Sequence, residues 1–188
     1  MFKLIIYSLT VTSISLILVF SLMLHDHNKV IQHDFAIHNL VTFQSIYEAQ
    51  RNKISRHNHK QKEIRCLADN IYYEAAHEPL KGKGAVALVT MNRVNHPDFP
   101  NDVCGVVYER NKKLCQFSWV CGVNKAHNRK EYQISEEVAK KVYRNYEKMY
   151  DFTNGSLYYH ADYLKEEKKK FFKTRKFSKK IGRHLFYM

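Results

Sequence analysis

The sequence contains little glycine and proline, with 6 and 3 residues respectively among 188. A collagen-like chain needs glycine at every third position, and Pro/Gly-rich low-complexity chains contain far more of both, so these two classes are excluded. The apolar fraction of 45% is high enough to form a packed core, which excludes a fully disordered protein. The length suits one domain of modest size together with an extension.

Acidic residues are also scarce. The chain has 18 Asp+Glu against 31 Lys+Arg, which gives a formal net charge of +13. Such an excess first suggests a nucleic-acid-binding protein. No DNA-reading motif accompanies the charge, however, and residues 164–184 alone contain ten Lys/Arg and two Glu. Phenylalanines interrupt this basic segment, so it is either a solvated charged surface or an amphipathic segment with an anionic partner other than nucleic acid.

Charged residues are absent from residues 4–24, which are predominantly apolar. As a helix, this segment would be roughly 31 Å long, about one hydrocarbon core. A cleavable signal peptide has a shorter apolar stretch followed by a small-x-small site, whereas this one has no Ala or Gly. We therefore predict an uncleaved membrane anchor at residues 1–24, a polar stalk at 25–63 and a compact domain at 64–188. Because the start is short, we expect a single-pass protein with its domain on the extracytoplasmic, periplasmic side.

Metal-binding cysteine spacings are missing as well. The chain has four cysteines, Cys66, Cys104, Cys115 and Cys121. They include no C-x2-C pair, and their spacings fit no zinc finger or ribbon. An even number in an exported domain predicts two disulfides, with three possible pairings, and free buried thiols are the alternative. The two His-x-His pairs of the stalk are better explained by a solvated polar surface. We therefore expect no metal and no cofactor.

Hydrophobic periodicity predicts a mainly helical domain. The expected helices cover residues 64–78 (ended by Pro79), 84–94 (apolar almost all round, hence buried), a short segment from Asn101 or Asp102 to Tyr108, and an amphipathic helix that begins at Ser135. A short hairpin is expected within residues 109–134. A turn at Asn154-Gly155 should precede a strand at 157–161.

Glu74 has an unusual position for a charged residue. On the first predicted helix, Leu67, Ile71, Glu74 and Glu78 follow one another at spacings of four, three and four, so they share one stripe. Glu74 therefore projects on the apolar side, where desolvation raises the pKa of a carboxyl group. A general acid for glycosidic cleavage needs such a raised pKa. A helix-edge glutamate that reaches solvent, or one ion-paired with Arg93, is the alternative.

Several ordered motifs resemble one known family. The run YYEAAHEPLKGKGAVALVTMNRVNHPDFP, which begins at Tyr72, is similar to the core of the cell-wall hydrolase family that includes the spore cortex-lytic enzymes. Further similar segments follow in the family's order: VCGVVYER, CQFSWVCG, YYHADY and IGRHLFY. The resemblance covers residues 66–187. It implies an α+β, mainly α, lysozyme-like domain that cuts the glycan strands of peptidoglycan, here behind an N-terminal transmembrane helix.

The resemblance also implies a mechanism. The family's catalytic carboxyl is the first of two glutamates, which is Glu74 in this chain. In a lytic transglycosylase, one carboxyl protonates the oxygen between N-acetylmuramic acid and N-acetylglucosamine and then accepts the proton of the muramoyl 6-hydroxyl, without metal or cofactor. A lysozyme mechanism would need a second carboxylate across the cleft, about 5–9 Å away. Glu78 and Asp162 are the candidates for it.

The expected substrate contacts follow from the same motifs. They are Tyr73, Glu78, Gln116, Phe117, Ser118, Tyr159 and His160. Phe117 and Trp119 are equally well explained as core residues, and His160 as a partner in a structural hydrogen bond. Asn92 and Arg93 are expected to be structural and to hold the loop that follows them.

The chain departs from the family pattern in two places. Ala76-His77 stands where the family has Arg-Gly, and a lysine-rich segment follows Ala161 where the family has a Pro and a Trp. A non-catalytic wall-binding or lysis-accessory protein of the same fold is therefore the alternative to an enzyme. A zinc amidase would need a His/Asp/Glu ligand set, and no H-E-x-x-H motif is present. The expected partners are peptidoglycan glycan strands and, through the N-terminal helix, the membrane.

Overall fold

The computed structural model describes residues 2–111, 114–122 and 128–188, and the side chains at 2–14, 111, 114 and 166–168 lie outside this description. The chain divides into two compact units, Met1–Arg56 and His57–Met188. Helix α1, Phe2–Ala75, begins in the first unit and ends in the second. Residues 4–14 of the predicted membrane span lie outside the described side chains. Among the side chains that are described, no helix is long and apolar enough to cross a membrane.

Four helices contribute to the described part of the second unit. After the end of α1 these are α2 (Leu80–Val94), α3 (Val103–Val107) and α4 (Arg129–Asn145). Short 3-10 segments lie at Ser118–Val120, Tyr146–Lys148 and Glu166–Thr174. Together with a small sheet they confirm the predicted mainly helical α+β class.

Helix α1 ends at Ala75, three residues before the predicted end. The ammonium group of Lys83 lies at this terminus, where it donates hydrogen bonds to the carbonyl oxygens of Ala75 (2.9 Å) and Ala76. A helix leaves its last carbonyl groups without intrahelical partners, so a buried lysine at this place satisfies them. Lys83 itself is 3% exposed and also pairs with Glu131 at 3.4 Å. This capping fixes the last turn of α1, on which Glu74 lies.

The prediction that α4 begins at Ser135 is wrong. The helix begins at Arg129, and the side-chain oxygen of Asn128 accepts from the backbone N–H groups of Lys130 (3.1 Å) and Glu131 (3.2 Å). Ser135 is buried inside the helix, and its hydroxyl donates to the Glu131 carbonyl oxygen at 3.0 Å. Asparagine and serine are comparable N-caps, and an interior serine can bond back to the preceding turn, so the sequence pattern does not separate the two positions.

The strands of the described residues form two antiparallel sheets. Strands β1 (Arg110–Asn111) and β2 (Leu114–Cys115) make the predicted short hairpin. Strands β3 (Tyr158–Ala161), β4 (Phe177–Ile181) and β5 (His184–Tyr187) form a second sheet in the order β3-β5-β4. The turn before β3 is confirmed, since Asn154 and Gly155 both have positive φ angles. The basic C-terminal segment thus contains a strand that its charge pattern did not indicate.

Helix α2 is the centre of the core, as predicted. Its residues from Gly82 to Arg93 are buried. One side of it packs with α1, α3 and α4, through a cluster that includes Leu67, Ile71 and Leu88. Another side packs on the sheet, where Ala85 and Val89 contact Ile181 and Phe186. The helix therefore joins the end of α1 to the three-stranded sheet, and the candidate site lies on residues from both.

The two predicted disulfides are confirmed, and the structure selects one of the three pairings. Cys66–Cys104 joins α1 to α3 across 38 residues of chain, and Cys115–Cys121 closes a loop of 6. Loop-closure entropy gives stabilisation of about 4 kcal/mol for the long loop and about 2 kcal/mol for the short one. The short loop contains Gln116 to Val120, so this disulfide holds part of the candidate site.

Candidate active site

Glu74 faces a cavity of about 990 Å³. This volume is at the upper end of the range that ligand sites occupy. The wall is assembled from the end of α1, the end of α2, the loop closed by Cys115–Cys121, strand β3, the segment after it, and β5. The lining residues are Tyr73, Glu74, Arg93, Gln116, Phe117, Ser118, Trp119, Gly122, Tyr158, Tyr159, His160, Ala161, Tyr163, Leu164, Phe171, Phe172 and His184.

The electrostatic environment of Glu74 favours the neutral acid. Burial raises the pKa of its carboxyl group, while interactions with Tyr159, Trp119 and the positive charge of Arg93 oppose part of that effect. The net shift is upward, so the carboxyl keeps its proton to higher pH than an exposed glutamate does. This is the property predicted from its place on the apolar stripe of α1.

Four of the residues that line the cavity have a buried polar atom without a hydrogen-bond partner of standard geometry among the described residues. They are Arg93 (Nη1), Trp119 (Nε1), Tyr159 (Oη) and His184 (Nδ1). Leaving a buried donor unpaired costs about 1–3 kcal/mol, so such atoms need an explanation. Among them, Trp119 and Tyr159 interact with the Glu74 carboxyl. A ligand rich in oxygen acceptors would satisfy donors placed in this way.

Three aromatic rings of the cavity wall stack on one another beside Glu74. The ring of Tyr73 stacks on Trp119 at 4.4 Å between centroids, and Phe117 lies nearly parallel to Trp119 at 6.1 Å. Phe117 is only 6% exposed, and its ring lies 5.5 Å from the Arg93 guanidinium carbon. It therefore belongs to the core and to the cavity wall at once, and the two interpretations of this residue were not exclusive.

Most of the predicted substrate contacts come together in the structure. Six of the seven line the cavity with Glu74, namely Tyr73, Gln116, Phe117, Ser118, Tyr159 and His160. Gln116 and Ser118 are exposed, which leaves their polar groups accessible. The shared cavity supports their assignment, and their contacts with substrate stay a prediction.

His160 uses both ring nitrogens within the protein. Its Nδ1 lies 2.7 Å from the Ala161 carbonyl oxygen and its Nε2 lies 3.0 Å from the Tyr187 hydroxyl. The ring also packs against Phe172, with centroids 4.4 Å apart. These contacts fix strand β3 against β5, so the structural alternative explains the polar atoms of His160.

Glu78 is the predicted contact that does not line the cavity. Its Oε2 accepts from the backbone N–H of Arg183 at 3.1 Å, and its Oε1 lies 3.9 Å from His184 Nδ1. Glu78 therefore connects the chain just after α1 with the turn between β4 and β5. Gly182 in that turn has φ of 57°, and a Cβ there would overlap Glu78 Oε2.

Asp162, the other candidate for a second carboxylate, also lies outside the cavity wall. Its carboxylate pairs with Lys180 at 3.0 Å and Arg183 at 3.6 Å, and Lys180 is the main cause of its lowered pKa. Among the described residues that line the cavity, Glu74 is the sole carboxylate.

Asn92 and Arg93 have structural contacts, as expected, but their side chains hold the segment that enters β3 and not the loop that follows them. The Asn92 amide donates to the Ser156 carbonyl oxygen at 3.0 Å. Arg93 Nε donates to the Leu157 carbonyl oxygen at 2.7 Å and so holds the chain that enters β3. The same guanidinium lines the cavity, which the motif pattern did not indicate.

Sequence reasoning also missed an aromatic part of the wall. It comprises Tyr158, Tyr163, Phe171 and Phe172. The one signal for the last two was their place within the lysine-rich segment, which indicated an amphipathic segment without indicating what it contacts. His184 was missed too, and burial lowers its pKa, so it is a neutral side chain of the wall.

The second unit is similar in sequence to known proteins. The family described as Cell Wall Hydrolase matches residues 77–187, so its match begins just after Glu74. The spore cortex-lytic enzyme of Bacillus cereus is 34% identical over 128 residues, which is 68% of this chain and 45% of that enzyme. The enzyme of the same name from Bacillus subtilis is 51% identical over 47 residues, 25% of this chain and 15% of that enzyme. The chain thus spans less than half the length of these relatives.

Solved structures of the same kind of protein are similar. The catalytic domain of the germination-specific lytic transglycosylase SleB from Bacillus anthracis has a TM-score of 0.51 and 34% identity, covering 68% of this chain and 95% of that domain. The catalytic domain of the Bacillus cereus SleB protein has a TM-score of 0.50 and 29% identity, covering 68% and 91% respectively.

Proposed function

Because this chain belongs to the cell wall hydrolase family, we propose that it cleaves the bond between N-acetylmuramic acid and N-acetylglucosamine in peptidoglycan as a lytic transglycosylase. Glu74 is its single catalytic group. The observation that supports this best is a carboxyl group with a raised pKa in a cavity large enough for sugar rings. The similarity to a lytic transglycosylase domain agrees with it.

In the first step, the protonated Glu74 donates its proton to the glycosidic oxygen. The bond between that oxygen and the muramoyl C1 breaks, and the N-acetylglucosamine residue leaves with a free 4-hydroxyl group. Positive charge develops on the muramoyl ring at the same time. Burial keeps the proton on Glu74 before the reaction, as a general acid requires.

In the second step, the muramoyl 6-hydroxyl attacks C1 and Glu74 accepts its proton. A 1,6-anhydro ring forms, and the carboxyl group returns to its starting state. Between the steps Glu74 is a carboxylate, which Arg93, Trp119 and Tyr159 stabilise in this scheme. Burial and the nearby carboxylate hold the pKa of Tyr159 well above its usual value, so this hydroxyl stays a neutral donor.

The placement of the other carboxylates favours this scheme over a lysozyme-type hydrolysis. Hydrolysis needs a second carboxylate across the scissile bond, as nucleophile or as base for water. Glu78 bonds to the turn between β4 and β5, and Asp162 pairs with two basic residues. An internal hydroxyl nucleophile removes the need for either.

Product analysis tests the proposal. Purified full-length protein is incubated with murein sacculi, and the soluble muropeptides are identified by mass spectrometry. We expect 1,6-anhydro-muramoyl ends. Reducing muramoyl ends would instead mean hydrolysis, and binding to sacculi without any released product would favour a wall-binding protein of the same fold.

We further propose that residues 4–24 anchor the chain in a membrane, with the domain on the extracytoplasmic side. The uncharged segment and the two disulfides support this placement, because disulfides persist in oxidising compartments. Cell fractionation with thiol labelling tests it. We expect the protein in the membrane fraction with unreactive cysteines, and recovery in the soluble fraction with four reactive thiols would contradict it.

A further inference from the structure

A basic and aromatic segment borders the opening of the Glu74 cavity. Tyr163 and Phe171 line the cavity and are nevertheless 70% and 49% exposed. They therefore lie where the cavity meets solvent. We name the surface formed by Tyr158, Tyr163, Lys170, Phe171, Lys173 and Arg175 the basic–aromatic wall.

Arg175 is the central cation of this wall. Its guanidinium carbon lies 4.2 Å from the centre of the Tyr158 ring and 4.5 Å from that of Phe171. Its Nε is buried and has no hydrogen-bond partner in the described part of the chain. Two rings thus hold a guanidinium group whose Nε has no acceptor within the described residues. A stacked guanidinium keeps its fork of donors in a fixed plane, which is the geometry that a carboxylate matches.

Two lysines add charge beside it. Lys170 and Lys173 lie in the 3-10 segment Glu166–Thr174, and residues three apart in such a helix project on the same side. Both are exposed, and neither forms an ion pair with a described side chain. Lys180 and Arg183, on and after β4, instead pair with Asp162. Lys170 and Lys173 therefore place positive charge on the segment that contributes Phe171 and Phe172 to the cavity wall.

We propose that the basic–aromatic wall binds a carboxylate on the substituent of the muramoyl ring and so selects acidic glycan strands. This inference rests on the proposed function. A glycan strand has two sources of such carboxylates, the peptide stem and the lactyl group that is left when the stem is removed. The rings of Tyr163 and Phe171 pack against the sugar chain, while Arg175 and the two lysines contact the acid.

The test measures how the full-length protein binds and cleaves three glycan preparations. The first has intact stems, the second is stripped by an amidase so that lactyl carboxylates remain, and the third has its carboxylates converted to amides. Binding to immobilised strands and KM for cleavage are both measured. The variants are K170Q/K173Q and R175Q. The matched control is K141Q/K148Q, because it removes the same charge from exposed lysines on α4 and the 3-10 segment after it, which contribute no residue to the cavity wall.

We expect the wild type to bind amidated strands about tenfold more weakly than intact strands, the size of one charged hydrogen bond. R175Q should show the same loss on intact strands, mainly in KM, and should equal the wild type on amidated strands. K170Q/K173Q should lose about threefold, and K141Q/K148Q should not change. Stripped strands that bind like intact ones identify the lactyl group as the ligand, and stripped strands that bind like amidated ones identify the stem.

Equal wild-type binding to intact and amidated strands would overturn the proposal. So would a loss of binding in R175Q and K170Q/K173Q that is the same on intact and on amidated strands. K170Q/K173Q keeps the test decisive if R175Q does not fold, because both lysines are exposed. Charge-dependent binding without cleavage by the wild type would refute the proposed function and leave this inference standing.

Discussion

Replacement of Glu74 by glutamine is the sharpest test of the catalytic assignment. The substitution keeps the size of the side chain and removes the proton that is transferred. In the proposed scheme the same carboxyl acts first as acid and then as base, so both steps lose their catalyst. One positioned acid or base contributes a factor of about 10²–10⁴. We therefore expect kcat to fall at least about 10⁴-fold, which corresponds to about 5.5 kcal/mol of transition-state stabilisation.

The same substitution should not destabilise the fold. The pKa of Glu74 is raised by burial, so its charged form is disfavoured in the folded state relative to the unfolded chain. Ionisation of Glu74 therefore lowers the free energy of unfolding. This cost is absent well below the pKa of the unfolded chain, and it is fully present above the raised pKa of the folded protein. Glutamine removes this cost, and its oxygen can still accept from Trp119 or Tyr159. Glu74→Gln should therefore be as stable as the wild type at pH 4 and equally or more stable at pH 8.

The assay measures muropeptide release and thermal unfolding on the same samples. Asp162→Asn is the matched control, since it removes a carboxylate that pairs with Lys180 and does not line the cavity. Its kcat should stay within about twofold of the wild type, as expected for a partly exposed substitution away from the chemistry. Retention of more than a tenth of the activity in Glu74→Gln would refute the assignment. Loss of activity in both variants would indicate a two-carboxylate mechanism.

Three further predictions concern the surroundings of this group. Trp119→Phe removes an interaction that lowers the pKa of the catalytic carboxyl, so the alkaline limb of the pH–kcat profile should move to higher pH, and an unmoved limb would contradict the assigned contact. The double replacement Cys66→Ala/Cys104→Ala should lower the free energy of unfolding by about 4 kcal/mol in denaturant titrations, because it opens a loop of 38 residues. Gly182→Ala should cost at least about 1–2 kcal/mol in the same assay, since φ is positive there and a Cβ would displace Glu78, and unchanged stability would argue against that contact.

Local patterns predicted the helices where one strong signal acts alone. The segment around Val86 and Val89 is apolar on all sides, so it had to be buried, and α2 is the centre of the core. Pro79 excluded a single continuous helix, because it separates the first predicted helix from the second. Where two signals compete, the pattern failed. Ser135 and Asn128 are both good caps, and the choice between them depends on which face of α4 packs against α2.

The candidate site shows the same division. Glu74 could be identified because the helical period alone places it among Leu67 and Ile71, and helical periodicity is a property of the chain. Glu78 shares that stripe, yet it bonds to the turn between β4 and β5, because α1 ends before reaching it. A stripe extrapolated past the end of a helix no longer predicts a common face.

The sequence by itself determined the helical class, two disulfides without their pairing, the order of the family motifs and the special place of Glu74. Only the tertiary structure decided which residues surround that carboxyl. Arg93 and Tyr159 meet it from a helix and a strand, and Phe171 comes from a segment whose charge indicated only a solvated or amphipathic surface. The physical reason is the distance along the chain over which each effect acts. Periodicity and capping act over a few residues, whereas a cavity wall depends on contacts between distant segments, which form only when the core packs.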